Sequence, residues 1–385
     1  MPTINPHTKS RLGRYRLLAP TAGVKVSPLC LGTMNFGNAW KETLGECTKD
    51  TTFSVLDAFY KNGGNFIDTA NNYQDEVSEI WLGEWMETRG VRDQIVLATK
   101  YSSAHRLYNQ SKIQANFVGN NTKSLRVSKE ASLRKLRTDY IDLFYVHWWD
   151  FGTSIEEVMT SLNQLVLAGK VLYLGISDTP AWVVSRANQY ARDHGMRTFS
   201  VYQGQWNAAK RDFERDIIPM CHAEGMGICP WGALGSGSFK SASEREQLSK
   251  SQSNTGRKCQ PRPIEVQVSH ILEDIAARHS TVVTSVALAY VMHKVRYVYP
   301  IVGGRLVDQL LANIDALGLI LSEEDMRDIE SGYEFDPGFP TTYIFQGESK
   351  EAHPGNSTFL NIAADFDFVD LSRPIIPKSS STSSQ

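Results

Sequence analysis

Four titratable side chains, Asp68, Tyr73, Lys100 and His147, fall at or just beyond the ends of three successive apolar runs, NFIDTA, QIVLATK and YIDLFYVHW. An unperturbed phenol titrates near about 10, too high to exchange protons readily at neutral pH. A neighbouring ammonium favours the phenolate and lowers that value, so Lys100 is expected to tune Tyr73. Asp68, paired with the lysine, would keep it protonated and oriented. His147 would hydrogen-bond a carbonyl oxygen and position it. Such a set performs general acid-base catalysis coupled to hydride transfer. Each residue alone has a plainer reading: a helix cap, a loop aromatic, a solvated strand end, a satisfied core histidine. The chemistry rests on their converging.

Convergence requires a scaffold that brings successive strand ends to one place. From Ser27 to about Asn313 short β-branched or aromatic runs alternate with amphipathic stretches, which indicates repeated strand-helix units and a parallel sheet. Eight strands are expected at 29–33, 65–70, 94–100, 140–148, 170–177, 198–206, 226–232 and 295–303. Eight helices are expected at 51–62, 78–89, 124–136, 154–168, 180–194, 212–224, 265–279 and 306–317. This predicts an α/β protein, a (β/α)8 TIM barrel, whose C-terminal strand ends carry the site. A doubly wound sheet is disfavoured because no G-x-G-x-x-G follows the first strand. Long connections follow Lys100 and run from Gly235 to Pro263, both on the predicted catalytic face. The segment RYRLLAPTAGVKVS reads as a hairpin plugging the opposite end. The expected divisions are an N-terminal arm (1–13), the barrel (14–332), a C-terminal extension packing on it (333–377) and a disordered tail (378–385).

Bulk properties narrow the partners. With 40 basic and 42 acidic side chains the formal net charge is -2, so no global field favours nucleic acid or an anionic membrane. The five cysteines are scattered, without a C-x-x-C pair for zinc or a redox dithiol. A metal-dependent hydrolase would need clustered ligands at strand ends, where only His147 is suitably placed. The first twenty residues carry no apolar run long enough for a signal peptide, nowhere do about 18 apolar residues run uninterrupted, and the expected location is the cytoplasm. Oligomeric state is left open.

Read together, DTANNY, ATK and YVHWWD, with LCLGTMNFG, GNFIDTANNY, LGISDTPAWVVSRAN and PWGALGSG, resemble the aldo-keto reductase superfamily over about residues 14–320. Within it the sequence is most similar to the fungal aryl-alcohol dehydrogenase branch, including norsolorinic acid reductase-like members. The resemblance implies NADPH/NADP+ as cofactor and a small carbonyl compound or its alcohol as substrate, aryl or polyketide-derived. It makes Asp68, Tyr73, Lys100 and His147 the catalytic tetrad, with Tyr73 the proton donor. It places Gly32, Thr33 and Met34 beside the nicotinamide ribose, Ser177, Asp178 and Gln203 at the carboxamide near Asp68, and Trp231 stacked on the nicotinamide ring. The run Gly232, Ala233, Leu234, Gly235, Ser236, Gly237 would let backbone N–H groups approach the pyrophosphate, because glycine permits positive φ and close contact. Phe239 and Lys240 would follow as a strap. Arg305, Gln309 and Asn313, spaced by four, would meet the 2′-phosphate and adenine near a helix N-terminus. Tyr73, His147 and Trp148 would contact substrate, and Trp148, Trp149 and Trp206 would line an aromatic pocket, with a core position the equal alternative for Trp206.

Two departures from the wider family bear on these expectations. Asp178 stands where many members have Asn, and a carboxylate cannot donate to the carboxamide carbonyl. Gly303 and Gly304 replace a Lys-Ser pair, leaving Arg305 as the main cation there. The competing reading is a cofactor-binding regulatory subunit of the same fold with little turnover, as in potassium-channel β subunits. The complete tetrad argues against it.

Overall fold

The computed structural model describes residues 10–250, 259–346, 353–369 and 372–377. The expected disordered tail, 378–385, and most of the N-terminal arm lie outside them. Eight parallel strands run in the order β10-β3-β4-β5-β6-β7-β8-β9: β3 (Cys30–Gly32), β4 (Phe66–Asp68), β5 (Val96–Tyr101), β6 (Ile141–Val146), β7 (Val171–Ser177), β8 (Phe199–Gln205), β9 (Gly227–Trp231) and β10 (Ile301–Val302). A parallel bridge between Ile228 and Val298 brings the last strand's approach against β9, nearly closing the ring. The architecture is a (β/α)8 barrel with helices between the strands. β4, β5 and β6 are buried at every position, as parallel strands covered on both faces must be.

Before the barrel, β1 (Arg16–Ala19) and β2 (Ala22–Val26) form the expected antiparallel hairpin. Its Leu18, Ala19, Ala22 and Val26 join Phe66, Val96, Ala98, Leu143, Tyr145, Val201 and Tyr299 in one apolar cluster inside the barrel floor. The approach is close: a Cβ on Gly227 would land on the Leu18 carbonyl. Tyr299 donates its hydroxyl to the Leu17 carbonyl, tying the last strand's approach to the hairpin. The floor is therefore sealed, and only the other end of the barrel is open for a site.

Helices fall where amphipathic spacing places them, with ends set by caps. Thr48, Asn121 and Ser154 accept from backbone N–H groups three residues on, opening the helices Lys49–Lys61, Thr122–Lys135 and Ile155–Leu167. The expected helix at 212–224 is two pieces, a 3-10 turn Asp212–Glu214 and the helix Ile217–Glu224. Among the described residues, three further helices of eight residues or more arise outside the predicted set. Val283–Lys294 is buried along nearly its whole length, so its apolar residues show no period to read. Glu323–Glu330 opens on a Ser322–Asp325 capping box. Ala242–Lys250 sits in the connection expected to be loop from Gly235. No single helix among the described residues is long and apolar enough to cross a membrane.

After the barrel, Tyr333 accepts from the Arg211 backbone N–H, Phe335 lies under the Arg211 and Arg215 guanidiniums, and Arg215 donates to the Asp336 carbonyl at 2.8 Å. The extension thus begins packed against the turn after β8. Farther along, Phe339, Phe366 and Ile362 are exposed.

Candidate active site

The parallel register sets neighbouring strand ends side by side. Gly32 pairs with Asp68, Lys100 with Tyr145 and Ser177 with Gln203. Lys100 is fully buried, and its ammonium reaches Asp68 Oδ1 at 2.5 Å, the Thr69 carbonyl at 2.7 Å and Tyr73 Oη at 3.3 Å. An ammonium has three protons, and these three acceptors use them. Gln203 Nε2 donates to Asp68 Oδ2 at 3.0 Å, so the carboxylate is held from both sides. Desolvation works against the Lys100 charge, but Asp68 and Tyr73 outweigh it and keep the lysine above its usual range.

Tyr73 is carried by a strained loop. Gln74, Asp75 and Glu76 are consecutive residues with φ of 52, 54 and 78°. The Gln74 amide braces them, donating to the Met34 carbonyl at 2.9 Å and accepting from the Trp40 N–H at 2.9 Å. Desolvation pushes the Tyr73 phenol above its usual range, and the Lys100 ammonium opposes that rise. The expected lowering is thus present only as the opposing effect; burial wins because the phenolate loses more hydration than one ammonium returns.

His147 follows β6 directly, its ring edge-on to Tyr73 with centroids 6.0 Å apart. Its backbone N–H donates to the Tyr101 carbonyl at 3.2 Å. Desolvation, reinforced by Lys100, holds its pKa well below the usual histidine value, so the ring is neutral at physiological pH. The four residues singled out in the sequence do converge at the barrel mouth.

The other expected positions divide. Gly32, Thr33 and Met34 close β3 beside Asp68, with the Thr33 N–H on the Asp68 carbonyl at 2.9 Å. Ser177 donates to Asp178 Oδ2 at 2.8 Å, and the Trp231 indole N–H approaches the same oxygen at 3.4 Å. Asp178 has φ 43°, a left-handed position that Asn and Asp tolerate better than most residues. Beyond β9 the backbone is left-handed at Gly232, Gly235, Ser236 and Gly237, with φ of 71, 69, 53 and 98°. Ala233 is buried and Leu234 packs against the core, so the turn is anchored from beneath. A Cβ on Gly235 would meet the Phe239 ring at 2.7 Å. Phe239 is itself buried in the core, which corrects its expected place in a strap: the aromatic is driven inward under the glycine turn. Lys240 beside it is half-buried, its carbonyl taking the Arg245 guanidinium.

Near β10, Arg305 precedes the helix Val307–Ala316 instead of lying on its face. Its N–H takes Gln309 Oε1 at 3.0 Å and its guanidinium donates to the Glu46 carbonyl at 3.2 Å. Gln309 is exposed and Asn313 is buried, so the three do not share one open face. The aromatic pocket also needs correction. Trp206 is fully buried, stacked on Phe213 at 6.0 Å, and Trp149 belongs to the same core. Of these three tryptophans only Trp148 reaches the mouth, where it lines a cavity of about 450 Å³ with Asn72, Ser103, Leu107, Ala115 and Val118. Ser103 was not picked out by the sequence, because a serine in a polar loop carries no periodic or motif signal.

A barrel with a sealed floor and an Asp-Lys-Tyr-His cluster at its open mouth defines a class, the barrel oxidoreductases that work on carbonyls and alcohols. The chain belongs to the Aldo/keto reductase family, whose profile matches residues 28–334. It is 55% identical over 370 residues to norsolorinic acid reductase B of Dothistroma septosporum, covering 94% of each chain. It is 49% identical to an aryl-alcohol dehydrogenase of Pestalotiopsis microspora, covering 98% of this chain and 96% of that one. An aryl-alcohol dehydrogenase [NADP(+)] of Phanerodontia chrysosporium is 48% identical over 90% of this chain and 92% of its own.

Proposed function

We propose that this protein is an NADPH-dependent reductase that interconverts an aryl or polyketide-derived aldehyde or ketone with its alcohol, using Tyr73 as general acid and base. The observation that carries this is the buried Lys100 ammonium, bonded at once to Asp68 and Tyr73 at the mouth of the barrel. A nicotinamide dinucleotide suits the residues present. In the left-handed turn after β9, half-buried Gly232 and Gly237 leave backbone that side chains would otherwise cover, and Trp231 offers a half-buried ring at the adjoining strand end. Gly232 to Gly237 and Lys240 would hold the diphosphate. Ser177, Asp178, Gln203 and Trp231 would hold the nicotinamide, Gly32, Thr33 and Met34 its ribose, and Arg305, Gln309 and Asn313 the adenosine end. The bound dinucleotide supplies or accepts the hydride.

The chain's own residues do the rest. Tyr73 donates its hydroxyl proton to the carbonyl oxygen as charge develops there, and Lys100 steadies the phenolate left behind. Asp68, fixed by Gln203, keeps Lys100 protonated. Neutral His147 donates a second hydrogen bond to the same oxygen. Trp148, Leu107, Ala115 and Val118 give the cavity beside the site a mostly apolar lining suited to a planar body. The names of the relatives, which include both norsolorinic acid reductases and aryl-alcohol dehydrogenases, support the same substrate class.

The test is NADPH oxidation followed by absorbance against a panel of aromatic aldehydes, with NADH and the Tyr73→Phe variant alongside. Wild-type turnover with NADPH, faster than with NADH, is expected, and the variant should lose about 10²–10⁴-fold in kcat while still binding NADPH. Full activity in Tyr73→Phe would remove the tyrosine from its role, and tight NADPH binding without turnover would favour the regulatory-subunit reading.

A further inference from the structure

Ser103 lies where the mouth loop leaves β5, against the two residues that follow β6. Its hydroxyl oxygen is 3.3 Å from His147 Nδ1 and accepts the Trp148 indole N–H at 3.1 Å. The placement is built, not incidental. Ser102 before it has φ 88°, a left-handed turn that faces both serines toward the end of β6. Ser102 Oγ accepts the His147 backbone N–H at 3.3 Å and Asn120 Nδ2 at 2.8 Å. The Ser103 carbonyl accepts Asn71 Nδ2 at 2.9 Å. Asn120 Nδ2 also donates to the Trp148 carbonyl at 2.9 Å, so serine, histidine and tryptophan are each fixed by contacts outside the trio.

The chemistry of the donors then selects a direction. An indole N–H can only donate, so it occupies one lone pair of Ser103 Oγ and polarises the hydroxyl toward giving up its own proton in a hydrogen bond. The acceptor within reach is His147 Nδ1. A neutral imidazole whose Nδ1 accepts carries its single proton on Nε2. Nε2–H is the form that donates to a carbonyl oxygen. The other tautomer would aim a nitrogen lone pair at that oxygen and repel it.

We infer that Ser103 is a positioning residue: the relay Trp148 → Ser103 → His147 fixes the histidine as its Nε2–H tautomer and, through the same hydroxyl, holds the Trp148 wall of the substrate cavity. The inference rests on the proposed reductase reading for its catalytic consequence, but the hydrogen-bond direction stands apart from it. One hydroxyl therefore couples the shape of the pocket to the protonation geometry of the site.

The test is two-bond ¹H–¹⁵N spectroscopy of the histidine rings in labelled protein, with His147 assigned by the His147→Gln variant and turnover measured in parallel. The wild-type ring should be unprotonated at Nδ1. Ser103→Ala should shift the population toward Nδ1–H and lower kcat about five- to tenfold, the value of one hydrogen bond, with NADPH affinity unchanged. Ser103→Thr, which keeps the hydroxyl, should restore both tautomer and kcat, whereas a merely structural serine would not be rescued in this way. A wild-type ring protonated at Nδ1, or a Ser103→Ala ring with the wild-type tautomer, overturns the inference whatever the turnover. Wild-type protein without carbonyl reduction would instead defeat the proposed function, and the spectra would still decide the relay.

Discussion

At the scale of single residues, the ammonium of Lys100 acts on Tyr73 against the pull of burial, and the sign of that action has a pH signature. In the proposed reaction, alcohol oxidation uses the tyrosine as a base, so its rate would rise with pH as the phenol ionises. Desolvation raises the phenol's pKa and Lys100 lowers it. Lys100→Met removes the lowering influence, so the rising limb of the kcat/KM profile for alcohol oxidation should move to higher pH by about one unit or more. An unmoved limb would mean that another group titrates. The tetrad was legible in the sequence because its members close successive strands, where barrel enzymes keep their chemistry. Ser103, Gln74 and the Asp68–Gln203 bond were not, since hydrogen-bond partners 32 to 135 residues apart leave no local trace.

At the scale of elements, packing overrides propensity at Gly83. This glycine lies inside the helix Val77–Arg89, where alanine would ordinarily be better by about 1 kcal/mol. A Cβ there would land on the Lys135 carbonyl, at the end of the helix Thr122–Lys135, and press on Leu136 at 2.7 Å. The contact is backbone and cannot swing away, so overpacking should win. Gly83→Ala is expected to destabilise the protein by about 1–3 kcal/mol in urea unfolding; a stabilised variant would mean that the two helices separate at little cost. Close approach brings Glu79 to Lys135 at 2.6 Å and Ser132 at 3.1 Å, a buried network that backs the loop carrying Tyr73. Most elements with a clear period were read within a few residues, but the run expected as a strand at 295–303 forms one only at Ile301–Val302. Val283–Lys294 escaped because a helix buried all round has no polar face, and Glu323–Glu330 because it is short and dominated by charge.

At the scale of the whole molecule, the barrel separates its floor from its mouth. Leu18 of the hairpin is fully buried in the floor cluster, on the far side of the barrel from Lys100 and Tyr73. Leu18→Ala should cost about 2–5 kcal/mol of stability, read as a lowered Tm, with KM and kcat close to wild type at moderate temperature. A large fall in kcat without loss of Tm would show that floor and mouth are coupled. The beginning of the C-terminal extension, clamped by Arg211, Arg215, Phe335 and Tyr333, adds a third part at the turn after β8.

Sequence alone determined the alternation of strands and helices, the plugging hairpin and the identity of the four titratable residues, because periodicity and strand-end position are local properties of a chain. Tertiary structure decided the rest. It turned Trp149, Trp206 and Phe239 into core and left Trp148 at the mouth, since which face of an element is buried depends on what packs against it. It left Arg305 ahead of the helix and buried Asn313 within it, because the face a helix turns inward depends on what packs against it. It also set the direction of the Tyr73 shift, since desolvation depends on the atoms gathered around a group, and a sequence does not state how many there are.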